Sequence, residues 1–299
     1  TILSIKLLFV LLLFYYLAKS DYFDLTFLKI FVKNMPFIVF LIILSFITMI
    51  LATIRWWLIL KKLNFDIKFK HTFIIVYIGT FFNNVLFGSY GGDLLRVYYI
   101  YNSSNHKKIF LSFTVLLDRF FGFIGLFIIS VFSFLNISKN LNLFYSQIFL
   151  YILIFSIVIA MFVILSFLFT NRVNIFSSII NPINNLLKFF WSNLSAFFIC
   201  VLISIILFSI VNIMVFLITV IIFDYKIDFY NIFLSNSLAT FFNAIPLTPG
   251  GLGIGELTFT KINIYLSENS KLLNIANAIV LFRLVNLVVS LPGVIFYIN

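Results

Sequence analysis

Long apolar runs separated by short polar interruptions set the pattern of this chain from end to end. A helix needs about 20 apolar residues to cross the hydrocarbon layer of a bilayer, and runs on that scale lie near 2–18, 36–60, 109–135, 146–170, 194–223 and 272–298. Six full crossings are expected from them. Two further apolar stretches, 71–88 and 229–247, each lead into a Gly-Gly pair and are followed by a shorter segment, 92–102 and 252–266. These are expected to be re-entrant helical hairpins, in which the chain enters the membrane, breaks and returns to the same side.

The two breaks are related. Thr80 to Gly92 reads TFFNNVLFGSYGG and Thr240 to Gly251 reads TFFNAIPLTPGG, about 160 residues later, so the opening tetrapeptide and the closing glycine pair recur with a one-residue slip. Positive charge orients the halves, because Lys and Arg accumulate in cytoplasmic loops. Arg55, Lys61, Lys62, Lys68 and Lys70 precede the first hairpin and Lys107 and Lys108 follow it, which places both its flanks on the cytoplasmic side. The loops around Lys139 and Lys226 are then external and the one holding Arg172 and Lys188 internal, with Lys19–Lys33 external despite three lysines, partly offset by Asp21 and Asp24. Each half, about 1–140 and about 141–299, thus holds three crossings and one hairpin, and the odd number of crossings inverts the second half against the first. The expected fold is an all-α polytopic membrane protein, one transmembrane domain over 1–299 with an inverted internal repeat and no soluble domain, of the plan common among secondary transporters.

Composition narrows the class further. With 63% hydrophobic and 10% charged residues and a mean hydropathy of +1.19, the chain is far too apolar for a water-soluble globule. The formal charge of +11 lies in short loops between apolar runs, which argues against nucleic acid as a partner and for membrane orientation. Cys200 is the only cysteine and lies in an apolar run, so no intrachain disulfide or cysteine-based zinc site is possible. The first run carries Lys6 near its start, and no small-x-small cleavage site follows it cleanly; it is expected to be a retained helix.

Candidate chemistry gathers at the breaks. Non-helical backbone in hydrocarbon leaves amide and carbonyl groups unpaired at several kcal/mol each, so the breaks must face protein or a watered cavity. Gly91, Gly92, Gly250, Gly251 and Gly253 allow close backbone approach, and Pro246 and Pro249 fix how the chain enters the second break. Helices beginning near Gly92 and Leu252 turn N-terminal amides toward the interior, which suits a phosphate or carboxylate. Arg119 and Arg283 sit near the centres of their runs at matching places in the repeat. A charge there costs roughly 2.5–3.5 kcal/mol on insertion scales, so each needs a partner: Asp118 or Asp93 for the first, Glu256 for the second, or an anionic head group gripped by bidentate contacts. Asp93 and Glu256 follow their glycines at helix starts, where capping, neutralising an arginine and carrying a proton are all open roles. Arg96, one turn after Asp93, is either its local ion-pair partner or a head-group ligand. Asn83, Asn84 and Asn243 precede the breaks and suit the loosened backbone; Ser89, Thr248 and Asn286 are lesser polar candidates, and His71 and His106 read as solvated interface residues.

At GSYGGDLLR, LLDRFFG, TPGGLGIGE and LFRLVN the sequence resembles the flippase-like family that includes the transmembrane region of lysylphosphatidylglycerol synthases and the uncharacterised protein family 0104. The motifs occur in family order over nearly the whole chain. The resemblance implies a multi-pass cell-membrane protein that moves lipids or polyprenyl-linked glycolipids between leaflets. It carries over Gly91, Gly92, Asp93, Arg96, Asp118, Arg119, Pro249, Gly250, Gly251, Gly253, Glu256 and Arg283. Asp118 stands where relatives often have Glu, and Ser89-Tyr90 replaces the proline common in the first motif. No aminoacyl-transferase domain follows Asn299, so the chain is not expected to make lysyl-lipid itself.

Three classes of function follow. The first is a lipid translocase whose partners are membrane lipids, an anionic phospholipid or a polyprenyl phosphate, with no cofactor, no metal and no ATP-binding loop. The second is an integral-membrane transferase using a lipid-phosphate donor, with Asp93 or Glu256 as base. The third is a non-catalytic membrane partner of envelope or glycan assembly. Translocation fits the few ionisable residues best, and an enzyme is not expected.

Overall fold

Wherever the structure, a computed structural model, describes the apolar runs, they are helical; it describes residues 33–85, 91–103, 108–137, 193–222, 227–244, 254–267 and 275–298. Helix α1 spans Met35–Lys62, α2 Phe69–Val85, α3 Gly91–Ser103 and α4 Lys108–Asn136. After the next described stretch begins at Asn193 come α5 Leu194–Leu217, ending in a π-helical turn Ile218–Ile222, α6 Phe229–Asn243, α7 Ile254–Ser267, α8 Ala276–Ser290 and α9 Pro292–Ile298. No strand occurs among the described residues. The runs near 2–18 and 146–170 lie outside them, as do Lys19, Lys107, Lys139, Arg172, Lys188 and Lys226, Ser89, His106 and the second break from Ile245 to Gly253 with Pro246, Thr248, Pro249, Gly250, Gly251 and Gly253.

Three segments are long and apolar enough to cross a membrane among the described residues: Met35–Lys62, Leu111–Asn136 and Leu194–Ile221. Their outward faces carry large apolar side chains such as Phe40, Leu116, Phe132, Phe198 and Leu202, while Ser45, Thr53, Asp118 and Ser204 are turned inward. A polar interior under an apolar exterior is what a bilayer imposes as solvent.

Two expectations need correction. Arg55 is not in the basic loop before the first hairpin: α1 continues to Lys62 and buries it. The helix then stops in a Schellman motif. Asn64 takes the left-handed φ of 62°, Phe65 N–H bonds Leu60 C=O at 3.0 Å and Asn64 N–H bonds Lys61 C=O at 3.1 Å. Phe65 packs with Leu60 beneath it. The run 272–298, expected as one crossing, is two helices interrupted at Leu291. Pro292 has no N–H to continue the ladder, and beside the break the Tyr77 hydroxyl donates to Val289 C=O at 2.7 Å.

Helices α2 and α3 pack together, as do α6 and α7. Helix α1 lies against α5; α6 packs on α4 and α2 on α8; α3 on α4 and α7 on α8; α1 on α8 and α5 on α4. Helix α9 also packs on α2. Close approach is permitted by small residues: a side chain at Gly125 would meet Ser204 Cβ at 2.7 Å, and one at Gly293 would meet the Tyr77 carbonyl oxygen at 2.6 Å.

Candidate functional site

The first hairpin brings its polar residues into one ionic cluster. Helix α3 begins at Gly91, and the Gly92 N–H donates to Asn83 Oδ1 at 2.8 Å. Asn83, reaching across from α2, is therefore the group that meets the first turn of the helix, rather than Asp93. Gly92 is required for this closeness, since a Cβ there would overlap the Gly79 carbonyl oxygen on α2. Asn83 also donates through Nδ2 to Asp93 Oδ1 at 3.3 Å. Asp93 in turn receives Arg119 from α4, Nε and Nη2 both at 2.8 Å from Oδ2.

Arg119 therefore pairs with Asp93, and its neighbour Asp118 goes elsewhere. Asp118 accepts from Arg55 Nε at 2.6 Å and from Arg96 Nη1 at 3.5 Å. Arg96 also lies 3.7 Å from Asp93, so it is shared between the two carboxylates. Its guanidinium stands over the Trp56 ring at 5.4 Å, a cation–π position. A side chain at Gly79 would meet Arg96 Nε at 2.7 Å. Arg55 makes one more bond, to Ser204 Oγ on α5 at 2.9 Å. Three helices, α1, α3 and α4, thus bring together five charged side chains in an apolar surround, with Asn83 of α2 and Ser204 of α5 at its edge.

The second hairpin repeats the centre of this arrangement. Arg283 on α8 lies 3.2 Å from Glu256 on α7 and donates to Asn243 Oδ1 on α6 at 3.2 Å. On α7, a Cβ on Gly255 would overlap the Asn243 amide. Asn83, Gly92, Asp93 and Arg119 are thereby matched in kind by Asn243, Gly255, Glu256 and Arg283. Helix α4 meets α6 where Phe123, one turn past Arg119, packs edge-on against Phe241 at 5.5 Å.

Burial separates the arginines. Arg55 and Arg96 are buried, whereas the side chains of Arg119 and Arg283 are 29% and 22% exposed. Among the four arginines these two are the more accessible. Asn84 bonds Ser290 Oγ at 3.2 Å and Asn286 accepts from Ser45 at 2.6 Å; both tie helices together. His71 is exposed at the start of α2. Among the described residues no group of three or more His, Cys, Asp or Glu side chains is placed to hold a metal.

Sequence reasoning missed Arg55, Trp56, Gly79 and Ser204. A signal for Arg55 was present: it stands seven residues before Lys62, which at about 1.5 Å per residue is roughly 10 Å inside the helix end. The other three show their role only through which helices touch.

An all-helical membrane protein with an ionic centre at each of two paired helices is the class these features define. The chain belongs to the lysylphosphatidylglycerol synthase TM region family, whose model matches residues 3–293. It is also similar to a UPF0104 membrane protein of Methanocaldococcus jannaschii, 28% identical over 138 residues, a match covering 44% of this chain and 40% of the relative. The matched part is thus less than half the length of that curated relative. No solved structure matches the chain.

Proposed function

We propose that this protein moves an anionic lipid, a phospholipid or a polyprenyl phosphate, between the leaflets of the cell membrane. The head group passes through the interior between the two hairpins while the acyl or prenyl tails stay in the bilayer. In this reading the chain crosses the membrane six times, its halves are inverted, and the hairpins α2–α3 and α6–α7 enter from opposite sides. The observation that carries it is the pair of partly exposed arginines, Arg119 and Arg283, each set against a carboxylate and an amide inside an apolar bundle. Guanidinium groups bind phosphate oxygens through paired hydrogen bonds, and Asp93 and Glu256 balance their charge between passages. Both carboxylates are engaged with arginines, which disfavours the transferase reading that would use one of them as a base.

Reconstitution in liposomes tests it. Purified protein should accelerate outward movement of fluorescent phosphatidylglycerol from the inner leaflet, read as loss of protection from a membrane-impermeant quencher. Arg119→Gln and Arg283→Gln should each slow it about tenfold or more, on the scale of 2–5 kcal/mol for losing one partner of a buried charged pair. Rates equal to those of protein-free liposomes, for both phosphatidylglycerol and a polyprenyl phosphate, overturn the proposal.

A further inference from the structure

The two ionic centres match in kind but not in charge, and the difference lies in three flanking positions. Three residues after the carboxylate stands Arg96 in the first half and Phe259 in the second. One before the exposed arginine stands Asp118 in the first and Phe282 in the second, and four before the asparagine Gly79 faces Ala239. The second-half trio is a dry contact: Phe259 and Ala239 are buried in one apolar cluster against which Phe282 packs. The first-half trio is ionic, with Gly79 leaving room for the Arg96 side chain.

The charge count differs accordingly. Among the described residues the first centre sets Arg55, Arg96 and Arg119 against Asp93 and Asp118, one positive charge in excess. The second sets Arg283 against Glu256 and is balanced. The excess falls on Arg96, which is shared at 3.5 and 3.7 Å while Arg55 and Arg119 hold their carboxylates at 2.6 and 2.8 Å. Its Nε is buried with no hydrogen-bond partner. An uncompensated charge in such surroundings is costly, and one monoanion offsets it.

We infer that the two half-sites are unequal: at rest the first holds one lipid phosphodiester at Arg119, the second holds none, and Arg55 is the positioning residue that sets the difference. This rests on the reading that the site meets an anionic head group. The phosphodiester takes Arg119, and Asp93, relieved of it, closes on Arg96. Arg55 makes this possible by occupying Asp118. Without Arg55, Asp118 would draw Arg96 fully and the centre would be neutral.

Charge-altering variants give signed outcomes. In phosphatidylcholine nanodiscs doped with phosphatidylglycerol, native mass spectrometry should count one phosphatidylglycerol retained per chain. Arg119→Gln should weaken retention about tenfold or more, and Arg283→Gln less than about twofold, one charge contact being worth on the order of 1.4 kcal/mol or more. Arg55→Met should weaken it, Asp118→Asn should tighten it, and the double variant should return to the wild-type value, with size-exclusion profiles and melts checking the fold. A purely structural strut predicts weakening from both single changes, so weaker binding by a folded Asp118→Asn overturns the inference. If that variant does not fold, the Arg119 and Arg283 comparison decides. Equal loss from those two, or two lipids per chain, overturns the inequality alone. No retained phosphatidylglycerol in the wild type overturns the underlying reading as well. Inorganic phosphate displacing the lipid at equal concentration overturns the lipid as its source.

Discussion

Gly92 and Gly255 show how much depends on single atoms. Each precedes its carboxylate, and each lies where a Cβ would strike backbone or the asparagine reaching over from the paired helix. Gly255→Ala is expected to push Asn243 off Arg283 and destabilise the protein by about 1–3 kcal/mol, the usual cost of overpacking. A thermal melt in detergent checks it; an unchanged melting temperature would mean that the two helices separate at no cost. The carboxylates and exposed arginines were legible because a charge inside an apolar run is a local signal. The sequence also suggested a matching second copy. What it did not reveal was partner choice, since Asp118 and Arg119 are adjacent yet point to different arginine and carboxylate partners, Arg55 and Asp93.

At the level of elements, breaks are as informative as helices. The first break was expected from its glycines, whereas the α1 stop at Asn64 was not read from the sequence, which began the basic loop at Arg55. The interruption at Leu291 had a sequence signal in Pro292 that the length of the apolar run outweighed. The structure explains why it is tolerated there: α2 supplies Tyr77 to the Val289 carbonyl and closes on Gly293. Tyr77→Phe removes one buried hydrogen bond and should lower stability by about 1 kcal/mol, more if the carbonyl is left unsatisfied. Chemical denaturation in mixed micelles measures this. Stability equal to that of the native chain would show that the carbonyl finds another donor.

The largest scale concerns how the halves interlock. Helices from the two ends of the chain interlock, α6 on α4 and α2 on α8, so neither end is expected to fold by itself. If the hairpins are re-entrant and inverted, both ends of α2–α3 lie on one face of the membrane and the start of α6 on the other. Lys62→Cys and Asn102→Cys should therefore react with an impermeant maleimide from the same side, and Asp228→Cys from the opposite side. The native Cys200 is buried and should stay silent in that experiment. Labelling of Lys62→Cys and Asn102→Cys from opposite sides would make α2–α3 a crossing and remove the inverted plan.

The apolar runs, the two breaks and the charges set within them follow from the sequence alone, because burial in a bilayer is a demand each segment meets by its own composition. Which carboxylate serves which arginine is a matter of tertiary structure. Electrostatic attraction acts over a few ångströms, and only helix packing brings Arg55, Arg96 and Asp118 within that range while leaving Phe259 and Phe282 in the corresponding positions of the other half.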